Sequence, residues 1–142
     1  MLEKTILKDG AEYIGELLEG VPDGQGTARY DNGAEYQGEW KEGSRHGKGI
    51  ITWPSGGKYI GDFHKGLRQG RGTYYYSSGH IYEGEFHNNK QNGLGVYIYP
   101  EGKKYIGNFV NCKQHGEGSM YYPDGKIESG IWKEDVLQDD FF

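Results

Sequence analysis

Along most of the chain apolar and polar residues alternate with a period of two, the signature of β-strands, whose successive side chains point to opposite faces. In YQGEW, Tyr36, Gly38 and Trp40 point one way, Gln37 and Glu39 the other. Further on, Gly72, Tyr74 and Tyr76 share a face, with Thr73 and Tyr75 opposite. No stretch carries the 3.6-residue period of an amphipathic helix. The runs DNG, PSGG, SSG, PEG and PDG between these segments read as turns. The pattern predicts strand, glycine-containing loop, strand, turn, in continuous succession.

That succession has a fixed interval. YIGEL, YQGEW, YIGDF, YEGEF and YIGNF begin at Tyr13, Tyr36, Tyr59, Tyr82 and Tyr105, one every 23 residues without insertion. In each unit a second segment opens with Gly-x-Gly, first at Gly24 and Gly26 and last at Gly116 and Gly118. A closing glycine follows at Gly33, Gly56, Gly79, Gly102 and Gly125. A fixed period of this length predicts a solenoid of stacked β-hairpins. The rings explain the glycines: a large side chain can lie across a bare position on a neighbouring strand, burying aromatic area and shielding backbone hydrogen bonds.

Composition restricts the class of protein. Leu, Ile, Val and Phe supply less than a fifth of the 142 residues, a poverty that by itself suggests disorder. Aromatic residues at 15% and a net charge of only -5 oppose that reading. Cys112 is the one cysteine, which rules out an intramolecular disulfide and a cysteine-based zinc cluster and suits a reducing compartment. MLEKTILKDG is too short and too charged for a signal peptide, and no apolar run approaches the roughly 20 residues of a membrane span. A cytoplasmic protein is expected. Net acidity weighs against a nucleic-acid partner.

The unit Y-x-G-x-W, followed by a loop glycine, Gly-x-Gly, an aromatic and a closing glycine, resembles the MORN repeat, the membrane occupation and recognition nexus. The resemblance runs from Tyr13 to about Trp132. It implies an all-β, elongated, single-layer antiparallel sheet of successive 23-residue hairpins, and a scaffold or adaptor role at membranes, cytoskeleton or cilia. It also implies that dimers occur, and that such arrays can accompany kinase or methyltransferase domains, here only in trans. On this register the single domain divides into a half repeat at 1–12, repeats at 13–35, 36–58, 59–81, 82–104 and 105–127, and a partial repeat with a C-terminal cap or tail at 128–142. Ile6 and Leu7 fall on the strand of the half repeat, and Gly10 is its closing glycine.

Several positions depart from the pattern. Leu17 replaces the strand aromatic of the first unit, and the sixth keeps only Gly130 and Trp132. Asn89 and Cys112 replace the loop glycine seen at Gly20, Gly43 and Gly66; Asn tolerates a left-handed backbone, whereas Cys112 suggests a different loop conformation. EDVLQDDFF, from Glu134 to Phe142, is either a cap over the last strand or an exposed tail. A bare end would favour an edge-paired homodimer.

Repeat geometry tests each chemical candidate. Two strands per unit set equivalent positions about 10 Å apart, too far for shared metal ligation or most acid–base pairs. His64 and His87 are equivalent in adjacent units, His46 and His115 are three units apart, and His80 lies at the opposite turn. Glu16, Glu39, Asp62 and Glu85 form a stripe that reads as a solvated acidic face. Gly-x-Gly with no helix after it is no phosphate cradle, no Gly-x-Ser-x-Gly elbow is present, and Cys112 has only His115 near in sequence. No catalytic activity, metal or cofactor is expected.

Two surfaces remain. Trp53, Tyr74, Tyr76, Tyr97, Tyr99 and Tyr122 share a face and form a candidate groove for a peptide or helix of a protein partner, with Tyr75 and Tyr121 on the other face. The loops between paired strands carry half of the 16 Lys and Arg, namely Lys41, Arg45, Lys48, Lys65, Arg68, Arg71, Lys90 and Lys113. The first six form a basic edge for the alternative ligand, anionic phospholipid, although the acidic first loop LEGVPDGQ interrupts it.

Overall fold

The computed structural model describes residues 2–138, and within them thirteen strands lie side by side in chain order as one open antiparallel sheet. They are β1 (Glu3–Ile6), β2 (Glu12–Leu18), β3 (Val21–Arg29), β4 (Glu35–Lys41), β5 (Ser44–Thr52), β6 (Lys58–His64) and β7 (Leu67–Tyr75). Then follow β8 (Ile81–His87), β9 (Lys90–Ile98), β10 (Lys104–Val110), β11 (Lys113–Tyr121), β12 (Ile127–Lys133) and β13 (Val136–Leu137). No helix occurs among the described residues.

Each hairpin closes through two residues with left-handed backbone, such as Glu42 (φ 50°) and Gly43 (φ 85°). Such a turn matches the right-handed twist of the strands it joins. Asn111 (φ 49°) and Cys112 (φ 69°) adopt the same turn, so the different conformation expected at Cys112 does not occur. Ladder pairing of Val110 with Lys113 holds it there, at a cost of about 1–2 kcal/mol for a side chain in this region. The other connection is bonded from Tyr30 N to Ala34 O (2.9 Å) and from Gly33 N to Tyr30 O (2.9 Å). It recurs at every repeat and once before the first, where Leu7 and Gly10 take the places of Tyr30 and Gly33.

So tight a hairpin leaves no room for the basic loops expected from the sequence. The long strands begin directly after the turn, so Arg45, Lys48, Arg68, Arg71, Lys90 and Lys113 all lie in strands.

Facing glycines run unbroken across the sheet, Gly15 with Gly26, Gly26 with Gly38, and so on to Gly118 with Gly130. Tyr13, Tyr36, Tyr59, Tyr82 and Tyr105 cover this row and are themselves fully buried. A Cβ added at Gly95 would stand 2.5 Å from Tyr82 Cε1. On the partner strand, a Cβ at Gly84 would stand 2.5 Å from the Cα of Gly95. One partner of each pair must be bare for the ring and the other for the backbone.

Beside the glycine pair within each of the five hairpins that join β2–β3, β4–β5, β6–β7, β8–β9 and β10–β11, the register slips, leaving Glu16, Glu39, Asp62, Glu85 and Asn108 without a partner in their own hairpin. The slip frees a carbonyl, and the tyrosine hydroxyl donates to it: Tyr13 to Glu16 O at 2.6 Å, Tyr59 to Asp62 O at 2.9 Å, Tyr105 to Asn108 O at 3.0 Å. In the four acids among them the carboxylate also accepts a backbone N–H, Glu16 from Gln25 at 2.5 Å, Glu39 from Lys48 at 2.8 Å, Asp62 from Arg71 at 3.0 Å and Glu85 from Leu94 at 2.7 Å. The acidic stripe, which stays open to solvent, is therefore also a set of bulge caps. Burial pushes the Asp62 carboxyl up, but the Lys48 ammonium and the Arg71 N–H outweigh it and hold the group below its ordinary range.

Trp40, Phe63, Phe86, Phe109 and Trp132 fill the gaps between tyrosines. Each stands edge-on to a tyrosine of the preceding repeat, and all but Trp132 also to that of their own. The result is a zigzag of ten rings from Tyr13 to Trp132, with centroids 4.9–5.3 Å apart. Each contact contributes about 0.5–1.5 kcal/mol beyond area burial. The core is thus one face of one sheet. Val136 and Leu137 pair with Lys133 and Trp132, so the start of the C-terminal segment closes the sheet as a last strand; 139–142 lie outside the described residues.

Gly95→Ala should cost about 3 kcal/mol, since its methyl meets the Tyr82 ring. Gly57→Ala, whose Cβ meets nothing closer than Trp53 Cε3 at 3.5 Å, should cost less than about 1 kcal/mol. Urea midpoints of the two variants check this.

Candidate docking face

A second aromatic layer lies beside the zigzag, toward the connecting turns. Period-two alternation in the long strands puts Tyr74 and Tyr97 on the core face, and Trp53, Tyr76, Tyr99 and Tyr122 follow two residues after the strand positions that face it. All six are half-buried and packed on the core cluster. Trp53 stacks on Tyr74 (5.4 Å, 22°) and Tyr74 on Tyr76 (4.4 Å, 28°). Tyr76 approaches Tyr97 at 6.3 Å and Tyr97 approaches Tyr99 at 4.9 Å. His80 stands edge-on to both Tyr97 and Tyr99. Tyr122 joins less directly, through Lys103, whose ammonium lies 4.5 Å from the Tyr99 centroid and 6.0 Å from that of Tyr122. Tyr75 and Tyr121 emerge on the opposite face, at 37% and 38% exposure.

The hydroxyls are held from beneath. Gln91 Nε2 donates to the Tyr76 hydroxyl and Gln114 Nε2 to that of Tyr99 (2.7 Å); both amides are only 2% exposed. Tyr122 donates to Glu128 at 2.5 Å, and that bond, with burial behind it, pushes its phenol up to about 12. Burial, with Tyr99 and Asp135 nearby, pushes Tyr97 up to about 12. Gln91 and Gln114 were not singled out from the sequence, although the 23-residue period aligns them with Arg45 and Arg68.

Those two arginines belong to this face as well. Arg45 pairs with Trp40 across the hairpin and Arg68 with Phe63, so both guanidiniums fold over rings. Arg45 lies 5.4 Å from the Phe63 centroid and donates from Nη2 to Gly66 O at 2.6 Å. Arg68 lies 5.2 Å from the Tyr74 centroid and donates from Nη2 to Asn89 O at 2.8 Å. Lys48 and Arg71 point to the opposite face, where Lys48 pairs with Asp62, and Lys41 and Lys65 sit exposed at the hairpin ends. The six basic residues therefore do not line one edge.

On the opposite face His46 and His64 bring their rings to 5.5 Å, a cross-strand pair that comparing equivalent positions overlooked. Among the described residues no group of three or more His, Cys, Asp or Glu is placed to hold a metal. No helix among them is long and apolar enough to cross a membrane. Cys112 is exposed.

The family model for the MORN repeat matches residues 13–35, 36–58, 59–81, 82–104 and 105–127. The chain belongs to the MORN-repeat family. Comparison of this MORN protein with curated protein sequences gives no match. Among solved structures it is similar to the SAS-4 (dCPAP) TCP domain of Drosophila melanogaster, in complex with a proline-rich motif of Ana2 (dSTIL). That likeness has 14% identity and a TM-score of 0.42, covering 92% of this chain and 90% of the other. Virginiamycin B lyase from Staphylococcus aureus is similar at 11% identity and TM-score 0.21, covering 93% and 41% of the two chains. The microcephaly protein CPAP G-box domain is similar at 13% identity and TM-score 0.22, covering 94% and 100%. At these TM-scores the likenesses carry no functional inference.

Burial raises the phenols of the MORN core above their ordinary value of 10.0, Tyr13 and Tyr105 to about 12. In the unfolded chain they ionise near 10, so their contribution to stability is complete below about pH 10 and is lost as pH rises toward 12. Phenolate absorbance should therefore rise together with loss of the sheet circular dichroism. Full tyrosine ionisation near pH 10 with the sheet signal intact would contradict this.

Proposed function

We propose that this protein is a non-catalytic scaffold that binds a peptide or helical segment of a protein partner across the surface from Trp53 to Tyr99, extending to Tyr122. The observation that carries the reading is the continuous contact of Trp53, Tyr74, Tyr76, Tyr97 and Tyr99, half-exposed over a rigid ladder. Rings already fixed by stacking and by the Gln91 and Gln114 amides lose little entropy when a partner covers them. MORN repeats occur in membrane- and cytoskeleton-associated proteins, which suits an adaptor. Anionic phospholipid, bound through Lys41, Arg45, Lys48, Lys65, Arg68 and Arg71, has less support because these side chains are divided between both faces and the turns.

Affinity capture from the native cell, compared between wild type and Tyr76→Ala/Tyr99→Ala, tests the reading. The variant should lose its partner while its circular dichroism is unchanged, and wild type should not co-sediment with phosphatidylserine vesicles at physiological salt. Undiminished capture by the variant would refute the aromatic surface. Sedimentation abolished by Lys41→Glu/Lys65→Glu would support the lipid alternative.

A further inference from the structure

Arg45 and Arg68 are the two cations of a row that continues as Gln91 and Gln114. Among the described residues neither arginine forms an ion pair, whereas Arg29, Lys48, Lys103, Lys113 and Lys126 each face a carboxylate. Each uses an Nη2 donor on a turn carbonyl, and the Nε of Arg68 is buried without an acceptor. Between them lies a depression of about 310 Å³, lined also by Tyr30, Ile51, Trp53 and Phe63. A ring beneath a guanidinium orients it without neutralising it. The Nη N–H groups that the turn carbonyls do not take are left to meet a carboxylate, and the apolar surroundings strengthen the attraction.

Spacing sharpens the match. Equivalent positions of neighbouring repeats lie two strands apart, about 10 Å. A segment crossing the strands covers that distance, with both side chains on one side, in three residues when it adopts the three-residue turn of a polyproline II helix, at about 3.1 Å each, or in seven when α-helical, at about 1.5 Å each.

We propose that the partner segment presents two acidic side chains, three residues apart if it is a polyproline II helix and seven if it is an α-helix, one to Arg45 and one to Arg68. Its uncharged portion then continues over Tyr76, Tyr97 and Tyr99, above the neutral Gln91 and Gln114. This inference rests on the docking face described under the proposed function. The acidic pair fixes the register and direction of the bound segment.

The test is selection of a random peptide display library on immobilised full-length protein, in parallel with the double variant R45Q/R68Q. Glutamine is the substitution that the chain itself carries at the equivalent positions 91 and 114. Circular dichroism confirms the variant's fold, and R68Q alone replaces it if the double variant is unfolded. Wild type should enrich peptides with Asp or Glu pairs at spacing three or seven, and the variant should not. A selected peptide should bind the variant at least about tenfold more weakly, and its Asn/Gln counterpart should bind both proteins equally. Selected peptides that have no acidic pair, or bind R45Q/R68Q undiminished, yet are lost on Tyr76→Ala/Tyr99→Ala, overturn this inference and leave the docking face standing. Absence of any selected peptide, or full binding to Tyr76→Ala/Tyr99→Ala, overturns both.

Discussion

The structure depends on one contact, a tyrosine ring lying against a pair of glycines on adjacent strands. The ring needs one bare Cα beneath it, and the strands need a second to come together there, which is why Gly72 and Gly61 both lack side chains under Tyr59. The phenol then requires an acceptor. It finds one in the carbonyl that the bulge frees, and the bulge in turn is held by the carboxylate of the same residue. Ring, glycine pair, bulge and acid are one unit, repeated in the first four repeats and kept in the fifth with Asn108 in place of the acid.

From that unit follows a sheet without a second layer. Edge-to-face contacts link each repeat only to its neighbours, so stability accumulates along one dimension. A single-layer core cannot hide every ring, and the aromatic residues beyond the zigzag stay half-exposed on a rigid support. The candidate docking face is thus a by-product of the way the core is built, and the residues that vary along it, Arg45, Arg68, Gln91 and Gln114, give it polarity from one end to the other.

The period, the strands and the pairing of tyrosine with glycine were legible in the residues because each is a local pattern repeated in register. The shared face of Trp53, Tyr74, Tyr76, Tyr97, Tyr99 and Tyr122 followed from alternation alone. The hairpin turn was harder to read. Its two left-handed residues are written as Glu-Gly, Lys-Gly, Asn-Asn and Asn-Cys, and only the ladder around Cys112 forces the last into that conformation. Mistaking this turn for a longer loop moved Arg45 and Arg68 off their strands and hid their position over the rings. Bulges likewise leave no mark on composition, so the capping role of Glu39 and Asp62 was hidden, and the cross-strand contact of His46 with His64 stayed out of sight.

Solution NMR tests the central claim most directly. Overhauser contacts should connect the ring protons of Tyr36, Tyr59 and Tyr82 to the Hα protons of Gly49, Gly72 and Gly95, with ring currents displacing those Hα resonances from unstructured-glycine values. Glycine Hα shifts at unstructured values, with no contact to the tyrosine rings, would contradict it.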